Sequence, residues 1–170
     1  MRRRRLLASA ATAGVGAVAG CTGLLGGGSP VLDPVTVRTI DAPGSTAGQL
    51  RLPTGHVTVL DLFSTGCAPC RAEMPELRNA RDRLDSVQFV SVTDQVFGGT
   101  FSPADVRQWW QDNDGAWLVG VDTKDSLFRQ LSVRGVPTLA VLDPDGHVVW
   151  NHAGLISADA IVKAATRATR

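Results

Sequence analysis

The 170-residue sequence has little cysteine, little net charge and no long apolar run. A formal net charge of +1 excludes the strongly basic surface of a nucleic-acid-binding protein and the composition of a polyacidic tail. Three cysteines in a chain of this length do not make a small disulfide-stapled protein. Hydrophobic residues nevertheless make up 44% and charged residues 19%. The chain can therefore bury a core, and its length predicts about one domain.

The N-terminal twenty residues have the layout of an export signal. Four arginines at positions 2–5 precede an uncharged run of small and apolar residues at 6–20, which is too short to span a ~30 Å hydrocarbon core. Paired arginines followed by leucines resemble a twin-arginine signal. The run ends in Val-Ala-Gly-Cys, which resembles a lipobox whose cysteine becomes the lipidated mature N-terminus. We predict a signal peptide over 1–20 and a lipid on Cys21; an uncleaved hydrophobic anchor is the alternative.

Either interpretation places the rest of the chain outside the cytoplasm. Removing the four arginines of residues 1–20 takes the formal net charge from +1 to −3, so the working domain is mildly acidic. The glycine-rich start of residues 21–34 predicts a flexible tether. Residues 35–170 then form the domain, with no internal repeat and no further boundary.

The domain alternates predicted strands and helices, which indicates an α/β fold with a central mixed sheet covered on both faces. Strands are predicted at 35–40 (an exposed edge strand), 49–52, 57–63 (buried and central), 87–92, 117–121, 138–142 and 147–151. Helices are predicted at 67–84 (bent at Pro75), 103–112, 124–131 and after Ser157. The tryptophans of the middle segment, Trp109, Trp110 and Trp117, are predicted to pack in the core or in this segment.

Cys67 and Cys70 form a CxxC where the central strand gives way to a helix. A helix N-terminus stabilises a thiolate through its dipole and free amides. A thiol with a pKa near 8.5 is only about 3% ionised at pH 7, whereas a CxxC thiol with a pKa near 7 is about half ionised. The second cysteine, one turn along, can attack a mixed disulfide.

Two plainer interpretations of the CxxC remain. A purely structural disulfide would close a very short loop and contribute little. A zinc site needs four ligands, and no second Cys/His pair stands at ligand spacing, so no metal site is predicted.

The sequence resembles the thioredoxin fold and, within it, the membrane-anchored TlpA/ResA-type thiol–disulfide oxidoreductases. The resemblance covers nearly all of the chain after the tether. Its fold would add N-terminal strands and a helix-strand insertion, matched here by residues 103–121. The matching residues are the CxxC, Asp61 six residues before it, Glu73, the helix proline Pro75 and the segment Gly135-Val136-Pro137-Thr138. Gly66 departs from the family, which usually has tryptophan there, so the rim of the site is less aromatic.

The resemblance implies a role for each matching residue. Cys67 would be the nucleophile and Cys70 the resolving thiol. Asp61 would accept the proton of Cys70; the alternative is an edge-strand carboxylate in water. Glu73 would tune or deprotonate the thiols, although an acid in a helix's first turn is favoured by the dipole anyway.

Val136 and Pro137 would form the substrate-binding loop. A cis Pro137 would expose the Val136 backbone, ready to pair with an extended substrate.

The implied protein is an enzyme outside the cytoplasm, lipid-anchored to the cell membrane, that exchanges disulfides with a protein disulfide or dithiol substrate. It needs no diffusible cofactor, and a membrane redox protein would supply its electrons. Cys-Ala-Pro-Cys resembles the reducing members, which often serve cytochrome c maturation. A disulfide oxidase or isomerase is the main alternative. A soft-metal carrier, for example for copper(I), is another, although only two methionines are present.

Overall fold

The computed structural model describes residues 29–169, and its element order follows the predicted alternation. Predicted features at 1–28, namely the signal peptide, Cys21 and most of the tether, lie outside the described residues. The strands are β1 (Val35–Thr39), β2 (Gly48–Leu52), β3 (Thr58–Phe63), β4 (Gln88–Thr93), β5 (Leu118–Val121), β6 (Thr138–Leu142) and β7 (Val148–Ala153). The helices are α1 (Ala68–Arg81), α2 (Pro103–Asp112), α3 (Ser126–Gln130) and α4 (Ala158–Ala168).

The seven strands form one sheet in the order β2-β1-β5-β4-β3-β6-β7. Strands β3, β4 and β5 are parallel, and the other neighbouring pairs are antiparallel. The predicted mixed sheet is confirmed, and β3 is buried along its whole length. The prediction of an exposed edge strand at 35–40 is wrong, because β2 and β5 pair with both edges of β1. At this end of the sheet, β2 is the edge strand instead.

Helices cover both faces of the sheet, as predicted. On one face, α1, α2 and α4 pack against β3, β5 and β6 in the larger core cluster. The apolar stripe of α1 lies in this cluster, with Met74, Leu77 and Ala80 at most 1% exposed. On the other face, α3 packs with β1 and the N-terminal segment in a second cluster. Burial of this stripe fixes the rotation of α1 about its axis. The short connection over residues 64–67 places the N-terminus of α1 near the end of β3.

The N-terminal segment contacts the domain before β1 begins. The N–H of Leu32 donates to the oxygen of Gly146 (2.8 Å), and the N–H of Val148 donates to the oxygen of Pro30 (2.8 Å). Leu32 is 3% exposed. Residues 30–32, near the end of the predicted 21–34 tether, thus pair alongside the start of β7. Within residues 29–169, none of the helices has the length and apolar character needed to cross a membrane.

Candidate active site

Cys67 and Cys70 form a disulfide at the N-terminus of α1, with Cα atoms 5.2 Å apart. Cys67 is the N-cap residue and is half-buried, whereas Cys70 is 2% exposed. The backbone N–H of Cys70 donates to Cys67 Sγ at 3.0 Å. The Cys67 sulfur is therefore the one a substrate can reach, and a helix-terminal amide is already in place to stabilise its thiolate.

The Val136–Pro137 segment lies directly beside Cys67. The Val136 carbonyl oxygen is 3.5 Å from Cys67 Sγ, and the Val136–Pro137 peptide bond is cis, as the resemblance implies. Thr138 Oγ1 donates to the Gly135 oxygen (2.7 Å), and the Gly154 N–H donates to the Pro137 oxygen (2.8 Å). The loop is thus held at both ends next to the exposed sulfur.

Asp61 is a carboxyl group in the interior, 3% exposed, in the middle of the central strand. The strand pleat puts it on the same face as Val59 and Phe63, which pack in the cluster containing Cys70. Ser91 Oγ donates to Asp61 Oδ2 at 2.7 Å. Burial raises the pKa of Asp61 to about 7, and the Ser91 hydrogen bond opposes this rise. The alternative of an edge-strand carboxylate in water is therefore wrong.

Glu73 is also buried, at 0% exposure, in the second turn of α1. Neither of its carboxyl oxygens has a hydrogen-bond partner among the described residues. Burial first, and the charge of Asp61 second, raise the pKa of Glu73 to about 8. The Ile156 backbone N–H opposes the rise without reaching hydrogen-bonding geometry. The alternative that Glu73 is a first-turn acid stabilised by the helix dipole is thus wrong. Glu73 lies in the second turn, and burial has the largest effect on its pKa.

Asp61 lies on the sheet face that α1 covers, and Glu73 lies about one turn along α1 from the buried Cys70. Two acids that titrate near neutral pH in this core can hold and release protons where a thiol must lose one. A disulfide exchange needs such a step, because the thiolate is the attacking species and the thiol is inert. The arrangement therefore combines a reachable sulfur, a buried second sulfur and local proton acceptors.

Two further side chains at this site were not apparent from the sequence. Ser91 contacts Asp61 and also accepts a hydrogen bond from Trp117 Nε1 at 2.9 Å. Gln95 Oε1 accepts from the backbone N–H of Thr65, two residues before Cys67, at 2.9 Å. Ser91 and Gln95 are far from the CxxC in sequence. Only the pairing of β3 with β4 brings them near, and no local sequence pattern signals it.

The rim of the site is open at Gly66. A Cβ atom built there would meet nothing within 4 Å. Val96, in the loop between β4 and α2, is 86% exposed. Gly66 therefore adds no side chain to this rim.

The candidate metal ligands among residues 29–169 are Asp143, Asp145 and His147, in the turn between β6 and β7. Asp143 Oδ1 accepts turn N–H groups from Asp145 and His147, which accounts for its presence structurally. This group does not include Cys67 or Cys70.

A family model described as Redoxin matches residues 34–165. Sporulation thiol-disulfide oxidoreductase A of Bacillus subtilis is 22% identical over 62% of this chain and 64% of its own length. The thiol:disulfide interchange protein CycY of Rhizobium leguminosarum bv. viciae is 22% identical over 72% of this chain and 61% of its own length. The chain thus spans somewhat over three fifths of these curated relatives.

Among solved structures, the pneumococcal exposed lipoprotein thioredoxin Etrx1 of Streptococcus pneumoniae strain TIGR4 superposes with a TM-score of 0.67 at 24% identity. The match covers 79% of this chain and 99% of Etrx1. This likeness confirms the thioredoxin-like fold. Since the Redoxin model also spans well over half of the sequence, the chain belongs to the Redoxin family.

Proposed function

We propose that this protein is a thiol–disulfide oxidoreductase that acts outside the cytoplasm and reduces protein disulfides through Cys67 and Cys70. One observation carries the proposal: the half-buried Cys67 sulfur is bonded to the buried Cys70 and lies 3.5 Å from the Val136 carbonyl. The names of both curated relatives describe thiol–disulfide chemistry, which supports the same conclusion. The redox-active group is the disulfide itself.

In the reduced protein, the Cys67 thiolate attacks one sulfur of a substrate disulfide. A Cys67–substrate disulfide forms, and the other substrate sulfur leaves as a thiolate. The Cys70 thiolate then attacks Cys67 Sγ, which forms the Cys67–Cys70 disulfide and releases the second substrate thiolate. The substrate gains two electrons and the protein loses two.

Asp61 and Glu73 serve the second attack in this proposal. Cys70 is buried, so its proton has to pass to a neighbouring group before it can attack. Asp61, with a pKa of about 7, is the acceptor. Glu73, with a pKa of about 8, stays mostly protonated at neutral pH, which limits the negative charge beside Asp61.

Val136 and Pro137 present the substrate to Cys67. The Val136 backbone is half-buried beside the sulfur, and an extended peptide can pair with it through main-chain hydrogen bonds. Backbone pairing suits a protein substrate, because it reads no particular side chain.

The reducing direction is supported by the motif Cys-Ala-Pro-Cys, which has proline before its second cysteine and no histidine. Each cycle leaves the protein oxidised, so two electrons have to return from a second dithiol. A membrane redox protein is the proposed donor, and cytochrome c maturation the proposed process. A reduction potential near −120 mV, the range of strong oxidants, would instead favour the oxidase or isomerase function.

The lipid anchor is the proposed means of keeping the protein at the membrane surface. The signal-like segment and Cys21 support it, as does the description of the fold neighbour Etrx1 as an exposed lipoprotein. Acyl chains contribute ~0.8 kcal/mol per buried methylene, so several chains on one cysteine hold a protein on a bilayer.

Insulin reduction tests the exchange chemistry. With dithiothreitol as the electron source, the wild-type chain is expected to accelerate insulin precipitation. Cys67→Ser should reduce the acceleration to the uncatalysed rate, because no reachable nucleophile remains. Pre-reduced Cys70→Ser, mixed with insulin after the dithiothreitol has been removed, should accumulate a mixed disulfide that mass spectrometry detects. Catalysis that survives in Cys67→Ser would contradict the assignment of the nucleophile. Copper(I) binding without insulin reduction would favour the metal carrier.

Cell fractionation tests the anchor. The wild-type chain should be recovered with membranes, and its N-terminal peptide should begin at a lipidated Cys21. Cys21→Ser should move most of the protein out of the membrane fraction. Retention of Met1 with an unmodified Cys21 would contradict the lipoprotein assignment and favour an uncleaved anchor.

Thermal unfolding of the oxidised protein tests the burial of Glu73. Because its folded-state pKa of about 8 exceeds its ordinary value of 4.5, the stability this group confers is complete below that ordinary value and is lost as the pH rises towards 8. Glu73→Gln removes this loss. Its Tm should therefore gain on the wild-type Tm between pH 5 and pH 9, on the order of 5–10 °C.

The matched control for Glu73→Gln is Asp85→Asn, which neutralises an exposed carboxylate. Its Tm should follow the wild-type pH dependence. Parallel Tm curves for wild type and Glu73→Gln across this pH range would show that Glu73 does not titrate in the folded protein near neutral pH.

A further inference from the structure

Three buried side chains form a hydrogen-bonded chain that ends at Asp61: two lie on neighbouring strands, and the third lies immediately before the next strand. Trp117, immediately before β5, places its indole Nε1 2.9 Å from Ser91 Oγ on β4. Ser91 Oγ lies 2.7 Å from Asp61 Oδ2 on β3. Ser91 is 0%, Asp61 3% and Trp117 5% exposed. The parallel register places Ser91 directly beside Asp61, so the contact is part of the sheet geometry.

The chemistry of the three groups sets the direction of every hydrogen bond. An indole N–H only donates, so Trp117 occupies a lone pair of the Ser91 oxygen. An ionised Asp61 can only accept, so the single hydroxyl proton of Ser91 is directed at Asp61 Oδ2. Asp61 Oδ2 is therefore held as an acceptor. Asp61 Oδ1 has no hydrogen-bond partner among residues 29–169, so it is the oxygen left to take up a proton.

We propose that Ser91 and Trp117 are positioning residues that orient Asp61, so that Oδ1 accepts the proton of Cys70. The inference rests on the proposed function, because it specifies the proton step of the second attack. The S–H bond of Cys70 breaks and an O–H bond forms at Asp61 Oδ1. The electron pair left on Cys70 Sγ forms the bond to Cys67 Sγ, and the substrate sulfur leaves with the pair of the broken disulfide.

The other groups that face Asp61 do not provide an alternative orientation. From α1 the titratable neighbour is Glu73, whose charge interacts with that of Asp61. From β6 the residue in register is Leu139, which is apolar and fully buried. Helix α4 contributes Ile161 and small apolar residues to the same cluster. Ser91 is therefore the hydrogen-bond donor that fixes the orientation of the Asp61 side chain.

The test measures Asp61 itself before any kinetics. Carbon-13 NMR of labelled aspartate in the oxidised full chain is titrated from pH 5 to pH 9, with Asp61→Asn identifying the signal. Ser91→Ala should raise the pKa of Asp61 by about one unit, because a hydrogen bond to the charged form is lost. Trp117→Phe keeps an aromatic ring but removes the donor, and should raise the pKa by less.

The double variant distinguishes a connected chain from two separate contacts. If Trp117 acts through Ser91, Trp117→Phe should change the pKa of Asp61 no further once Ser91 is alanine. Ser45→Ala is the matched control, since it removes another buried hydroxyl, one that bonds the backbone of Val119. It should leave the pKa of Asp61 unchanged. An unchanged pKa in Ser91→Ala, or full additivity in the double variant, would overturn the proposal.

The kinetic measurement follows the second attack. Reduced protein is mixed with an aromatic disulfide that releases one thionitrobenzoate when Cys67 attacks and a second when Cys70 resolves the mixed disulfide. The pH midpoint of the second release should move upwards in Ser91→Ala by the same amount as the pKa of Asp61. A midpoint that stays in place while that pKa moves would contradict Asp61 as the acceptor. If the wild-type chain shows neither release, the proposed function is contradicted. The NMR titration tests the positioning role of Ser91 and Trp117 whether or not the wild-type chain shows these releases.

Discussion

The burial of two carboxyl groups beneath a disulfide is the constraint on which the rest of this site depends. Asp61 and Glu73 lie 3% and 0% exposed, and moving a carboxylate out of water is costly unless it is paired or protonated. Their pKa values of about 7 and about 8 show that burial wins over the single hydrogen bond from Ser91. Both acids can therefore hold protons at neutral pH, in the core that β3 and α1 share with Cys70.

The fold produces this arrangement from ordinary packing. The apolar stripe of α1 lies on the sheet and brings Glu73 inwards on the same helix. The pleat of β3 turns Asp61 to the same face. The N-terminus of α1 then places Cys67 at the surface and Cys70 beneath it, so one helix supplies the reachable sulfur, the buried sulfur and one of the acids. Parallel pairing of β3 with β4 adds Ser91.

The features that could be predicted from the sequence are those that depend on residues close together in the chain. The stripe of α1, the alternation of strands and helices and the position of the CxxC at a strand–helix junction all follow from periodicity and capping. The position of β1 did not, because its pairing with β5 joins residues about eighty positions apart. Likewise, the sequence predicts only that Trp117 packs in the interior. Its hydrogen bond to Ser91 could not be predicted, because it depends on the register between strands. The burial of Glu73 depends on how α1 is rotated against the sheet.

The central claim is that protons on the buried carboxyls are coupled to the electrons of the disulfide. The most direct test is the reduction potential of the full chain from pH 6 to pH 9, in wild type and in Asp61→Asn/Glu73→Gln. A thiolate at Cys70 would raise the carboxyl pKa values further, so reduction takes up extra protons, and each proton adds about 30 mV per pH unit for two electrons. We expect the wild-type potential to fall more steeply with pH than that of the double variant. Parallel lines would contradict the account.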